Sequence, residues 1–299
     1  MTYEELLKDL VDNDERFMIL TAENRAAIRN LPDQIGDRFI DTGITEQTMI
    51  GVAAGLALRG RIPVAHALAS FLTMRAFEFI RTDVGIADLP VKLVGGFSGF
   101  LSEANGPTHQ AIEDVSIMRG IPNVNVFCPA DVEDMLIGLQ KVLESPKPFY
   151  IRYNNLKPVY KHTQEFEIGK AEVISEGKNV TFIVYGILFR QAIEAKEILE
   201  KKGISVGLIN LRTLKPIDEE AILNAAKNSK FLVTLEDHFI TGGLYTIIAE
   251  ILLKNKVMCD VLPVALMDQW FKPALMSDIL EYEGFTGEKI ADRILNKLK

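Results

Sequence analysis

The chain has 299 residues, 48% hydrophobic and 25% charged, which is a globular rather than a disordered composition. That length suits two domains of about 150 residues each. Lysine and arginine total 33 against 41 aspartates and glutamates, so the net charge is −8, and an acidic chain without a basic run is a poor nucleic-acid binder. Cys128 and Cys259 lie far apart, which excludes a disulfide framework and a C-x-x-C metal site.

The opening stretch, MTYEELLKDLVDNDERF, predicts an acidic amphipathic helix rather than a signal peptide. No run of about eighteen apolar residues follows anywhere, so the expectation is a cytoplasmic protein without a membrane span. Short apolar runs then alternate with segments of helical period. Strands are predicted at 16–21, 62–66, 91–95, 123–127 and 149–153, with helices near 45–59, 70–87, 111–118 and 131–144. Residues 156–168 show no clear period and read as a linker. The alternation restarts with strands at 180–186, 204–211, 231–237 and 258–266, and helices at 188–202, 217–228 and 243–254. The predicted class is therefore α/β. Two three-layer α/β/α domains with mostly parallel sheets occupy 1–155 and 169–299.

Several chemistries lose ground by absence of their motifs. There is no P-loop, no G-x-G-x-x-G after a strand, no H-E-x-x-H and no G-x-S-x-G. Four segments of the first unit look unlike plain scaffold. In DTGITEQTMIGVAAGLALRG, Glu46 opens a helix rich in small residues; alone, it could simply favour the helix dipole. In ASFLTMRAFEFIR, Phe71, Met74 and Phe77 stand three apart and could line one face, which by itself is more often core than pocket. In NGPTHQAIEDV, His109 follows a turn at an expected helix N-terminus, which favours its neutral form; a plain surface histidine is the competing reading. In YIRYN, Arg152 ends a strand, where it could clamp an anion or join a salt bridge.

In this order and spacing, DTGITEQ, FLTMRAFEFIR, NGPTHQAIED and the later LVTLEDHFITGGL resemble the C-terminal half of transketolase. The closest resemblance is to the separate C-terminal subunit of split transketolases, and it spans nearly the whole chain. It implies a pyrimidine-binding domain for thiamine diphosphate, followed by a mainly structural C-terminal domain. The chain lacks the Gly-Asp-Gly…Asn motif that grips the diphosphate through Mg2+. No metal ligand is therefore expected here; a partner N-terminal subunit would supply that site, in an α2β2 heterotetramer.

The resemblance assigns roles residue by residue. Glu46 would hold the carboxyl at the pyrimidine ring nitrogen, where burial against an aromatic ring raises a carboxyl pKa and lets it share a proton. Phe71 would stack on the pyrimidine, with Met74, Phe77, Arg75 and Glu23 also lining the cofactor. His109 would face the reacting carbon, donating a hydrogen bond to the oxyanion or moving a proton between hydroxyls. Arg152 would bind the terminal phosphate of the sugar. Asn105 stands where the family usually has an aspartate, and Phe97 where it has a phosphate-contacting histidine; Glu23 replaces an aspartate. These departures point to an unusual sugar on retained cofactor chemistry. The implied activity is transfer of a two-carbon ketol unit to an aldose from a ketose that is anionic or phosphorylated and of an atypical kind. The alternatives are the β subunit of a 2-oxo acid dehydrogenase or another thiamine-diphosphate enzyme, of which the 1-deoxyxylulose 5-phosphate synthase type normally carries both halves in one longer chain, and a non-catalytic scaffold subunit.

Overall fold

The computed structural model describes all 299 residues. Twelve strands form two sheets. The first sheet takes β1 (Phe17–Thr21), β2 (Phe39–Asp41), β3 (Ile62–Leu68), β4 (Lys92–Gly96), β5 (Asn125–Phe127) and β6 (Phe149–Arg152), all parallel, in the order β5-β6-β4-β3-β1-β2. The second takes β7 (Glu172–Ser175), β8 (Val180–Val184), β9 (Val206–Asn210), β11 (Phe231–Phe239) and β12 (Asp260–Leu266), in the order β12-β11-β8-β9-β7, with only β7 antiparallel. The remaining strand, β10 (Thr213–Lys215), lies in the second half of the sequence but pairs antiparallel with β5, closing the free edge of the first sheet.

Helices cover both sheets for reasons written in their sequences. The helix Tyr3–Asn13 opens with a reciprocal bond between Thr2 and Glu5, and buries Tyr3, Leu6, Leu7, Leu10 and Val11 on one face. Asp131 caps Val132–Glu144 by accepting from the N–H groups of Glu133 and Asp134. Strands β3 and β4 are buried almost throughout, His66 and Lys92 included, because both their faces are covered. One core cluster joins Leu20, Ala65 and Leu93 of the first sheet to Ile183, Ile209 and Leu232 of the second, so the two units share their packing.

Three local differences from the sequence expectation matter. The predicted helix 70–87 is widened at both ends: the Ala76 N–H bonds the Phe71 carbonyl and the Ile86 N–H bonds the Arg81 carbonyl, an i→i+5 pattern. The predicted helix 111–118 starts only at Asp114. Residues 106–111 are instead taken up by a turn at Gly106 and by pairing of Ala111 with Ser98 and Gly99. The segment 156–168 has no regular element but is fastened: buried His162 bridges Asp131 and Glu172, and Arg212 donates to the carbonyls of Thr163 and Glu165.

Candidate active site

The register of the first sheet brings Thr21, Asp41, Leu68, Gly96 and Arg152 to one edge, the carboxyl edge where ligands of parallel sheets gather. The loops that leave this edge carry the predicted site. Glu46 is the first residue of the helix Glu46–Leu58, following β2, and is 2% exposed. Its carboxylate accepts from Nη1 of Arg75 at 3.0 and 3.2 Å. The guanidinium carbon of Arg75 lies over the ring of Phe71, 4.0 Å from its centre. The ring of His109 also meets Phe71, edge-on, with centres 5.2 Å apart. Thr108 hydrogen-bonds Nδ1 of His109 at 2.9 Å and so fixes the imidazole. The segment Phe71–Arg75 thus meets two others, reaching Glu46 through Arg75 and His109 through the ring of Phe71.

Met74 and Phe77 line a groove with Thr73, Ser116, Ile117 and Gly120. His109 differs from expectation. It sits in the turn at Gly106, whose carbonyl accepts its N–H, and not at a helix N-terminus.

Arg152 requires a correction. It is 3% exposed, and each of its three guanidinium nitrogens donates to a buried carboxylate. Nε donates to Asp114 at 2.9 Å, Nη1 to Asp237 at 2.8 Å and Nη2 to Asp237 at 3.2 Å, while Tyr150 donates its hydroxyl to Asp114 at 2.6 Å. Burial pushes the Asp237 carboxyl up and Arg152 pulls it back. These contacts are those of the salt-bridge alternative: Arg152 ties the two units together. Gly99 permits this closeness. Its φ is 57°, and a Cβ there would stand 1.6 Å from Oδ2 of Asp237.

The other expected substrate and cofactor residues lie on the rim. Phe97 is 40% exposed and follows β4 in left-handed backbone at φ 56°, an unusual state for a bulky residue and one that clusters at functional sites. Glu23, at φ 62°, leaves β1 in the same way; its N–H bonds Asp41. Asn105 is exposed and donates to the Ser102 carbonyl. Sequence reasoning missed a small pocket of about 110 Å³ between the tails of β1, β4 and β6, lined by Asn24, Ala27, Phe97, Leu101, Tyr153 and Asn155. Its side chains bear no charge. It also missed Ser70, whose side-chain oxygen is buried without a partner and which neighbours Phe71 in the chain. Gln110, expected as a support of His109, likewise has a buried side-chain oxygen without a partner. One cluster has metal-ligand composition, Asp134, His162 and Glu172. It lies at the linker, where Arg212 pairs with both carboxylates, and it is an ion network rather than part of this site.

The sequence matches the family model described as transketolase, pyrimidine binding domain, over residues 1–157, and that described as transketolase, C-terminal domain, over 169–290. The chain belongs to the transketolase family. It is 35% identical over 99% of its length to a chain of Methanocaldococcus jannaschii that carries the name of a putative transketolase C-terminal section, 95% of which is covered. It is 37% identical, over 97% of its length and 91% of the relative, to a 6-deoxy-6-sulfo-D-fructose transketolase subunit of Clostridium sp.. A 1-deoxy-D-xylulose-5-phosphate synthase of Dictyoglomus thermophilum is 34% identical, but this transketolase-family chain spans only 50% of it. Among solved structures, a split gene transketolase described as an inactive beta4 tetramer superposes with a TM-score of 0.86 at 33% identity, covering 98% of this chain and 95% of the other. A transketolase of Campylobacter jejuni shares the fold, with a TM-score of 0.79 at 19% identity. No helix of the chain is long and apolar enough to cross a membrane.

Proposed function

We propose that this chain is the aminopyrimidine-binding subunit of a thiamine-diphosphate-dependent transketolase. It transfers a two-carbon ketol unit from a ketose to an aldose and works with an N-terminal subunit that holds the diphosphate and Mg2+. The observation that carries this is the buried Glu46 carboxylate set beside Phe71, with His109 edge-on to the same ring. The residues fit an aminopyrimidine: the flat guanidinium of Arg75 already lies on Phe71 and donates to Glu46, so the seat accepts a planar hydrogen-bond donor. The relatives named for a C-terminal section and for a split gene support the two-subunit arrangement.

When bound, the cofactor supplies a carbon nucleophile and a sink for electrons. The chain does the rest. Glu46, out of water, holds a proton at the pyrimidine ring nitrogen and so tunes the ring's basicity. Phe71 fixes the plane of the ring. His109, steadied by Thr108, donates a hydrogen bond to the oxygen on which negative charge develops, or shuttles a proton between hydroxyls. Asn105, on the loop before His109, is available to the donor's hydroxyls as donor and acceptor.

The departures at Asn105 and Phe97 support an atypical sugar as substrate. A terminal phosphate dianion calls for cationic partners. Here Arg152 is committed to Asp114 and Asp237, and the pocket beside Phe97 holds two amides and no cation. The named activity of the Clostridium relative on a sulfonated ketose is in keeping with a departure from ordinary sugar phosphates.

The test is reconstitution of the chain with its partner subunit, thiamine diphosphate and Mg2+, across a panel of phosphorylated, sulfonated and unsubstituted ketoses. Ketol transfer is expected only from the mixture. Glu46→Gln should lower it by about 10² to 10⁴-fold, the range of general acid–base catalysis, without loss of folding. CO2 release from a 2-oxo acid with no ketol transfer overturns the reading. So does xylulose 5-phosphate with ribose 5-phosphate as the best pair, for the substrate part.

A further inference from the structure

The contacts of Arg75 have a consequence that rests on the reading above. The guanidinium is a flat cation with N–H groups around its edge. In the structure it stacks on Phe71 at 4.0 Å and donates to both oxygens of Glu46. These are the two surfaces that a planar aminopyrimidine would use: the ring face for stacking and the carboxylate for a shared proton. Both cannot be used twice at once. The Arg75 side chain is 41% exposed, whereas that of Glu46 is 3% exposed, so it is the arginine that has somewhere to go. The widened turn Phe71–Arg75 holds the guanidinium over the ring, and Ala76, next in sequence, is fully buried and anchors the backbone.

We infer that, in the subunit without cofactor, Arg75 occupies the seat of the cofactor ring and must swing toward solvent before the ring can stack on Phe71 and meet Glu46. The arginine thus closes a site that would otherwise leave a buried carboxylate unpaired. It also lowers the apparent affinity by the fraction of molecules in which the seat is open. An arginine that instead lined the bound ring would add affinity. The two roles predict opposite signs for its removal.

The experiment compares wild type, Arg75→Ala and Arg75→Gln. Binding of 4-amino-5-hydroxymethyl-2-methylpyrimidine to this chain alone, and of thiamine diphosphate with Mg2+ to the chain with its partner subunit, is followed by calorimetry and stopped-flow. Folding is checked by circular dichroism, and the glutamine variant serves if alanine lowers the melting temperature. Both variants are expected to bind about tenfold tighter, the order set by one half-exposed ion pair and one cation–ring contact. The gain should lie in the association rate, with dissociation unchanged, because an occupant that must first leave slows entry and not exit. Unchanged or weaker binding by folded variants overturns the inference and makes Arg75 a bystander or a ligand. Thiamine diphosphate failing to bind even the wild-type complex overturns the cofactor reading itself.

Discussion

At the scale of single residues, burial decides which expected roles survive. Glu46 and Arg152 both end loops or strands on the carboxyl edge, and both are almost fully buried. They differ in their partners. Glu46 meets one arginine that is half in water, so its carboxylate can be handed to a ligand. Arg152 meets two carboxylates that are themselves wholly buried, so it cannot be spared. Replacing Arg152 by leucine leaves Asp114 and Asp237 as unpaired buried groups. The expected cost is about 3–5 kcal/mol of stability, read by urea denaturation. A folded Arg152→Leu protein with wild-type stability and a raised KM for a phosphorylated sugar would restore the anion-clamp role. The identity of Glu46, Phe71 and His109 was legible as a set of motifs. The fate of Arg152 was not, because its partner Asp237 lies 85 positions away in the second unit, and nothing local announces that contact.

At the scale of elements, the sequence showed where strands and helices lie, and tertiary contacts moved their ends. The helix expected from 111 starts at Asp114 because Ala111 pairs with Ser98 and Gly99. The short edge strands β2, β7 and β10 were invisible, since three or four residues carry too little alternation to stand out. The linker is the clearest case: its sequence has no period, yet its position is fixed by charge. Burial alone favours the neutral ring of His162, but hydrogen bonds to Asp131 and Glu172 outweigh it and raise its pKa from 6.5 to about 10. The folded state therefore binds this proton more tightly than the unfolded chain. The stabilisation is complete below pH 6.5 and is lost as pH rises towards 10. The difference in melting temperature between wild type and His162→Asn should accordingly shrink over that interval. A difference that stays constant with pH would show the ring to be neutral in the folded protein.

At the scale of the whole molecule, the two units are bound by three different devices. These are the strand β10 laid on β5, the buried Arg152 pairs and a core cluster common to both sheets. They make one body, and exposed apolar side chains remain on its surface. On the helix Glu46–Leu58, Gly51 and Gly55 face open space, with nothing within 4 Å of the point where a Cβ would stand, and Leu58 is 71% exposed. Ile44 at 67%, Ile86 at 69% and Phe79 at 38% belong to the same two segments that carry Glu46 and Phe71. Scattered apolar residues need no explanation, but a set gathered on the segments of a half-built site does. The small residues allow another backbone to approach closely, and under the proposed function that backbone is the partner subunit's. The proposal then has the partner cover residues 44–58 and 71–86. Hydrogen exchange measured with and without the partner should show added protection in these two segments, and little change in the outer helices of the second unit, Met276–Tyr282 and Gly287–Leu298. Protection confined to those outer helices would place the partner away from the segments that carry Glu46 and Phe71, and would overturn this account.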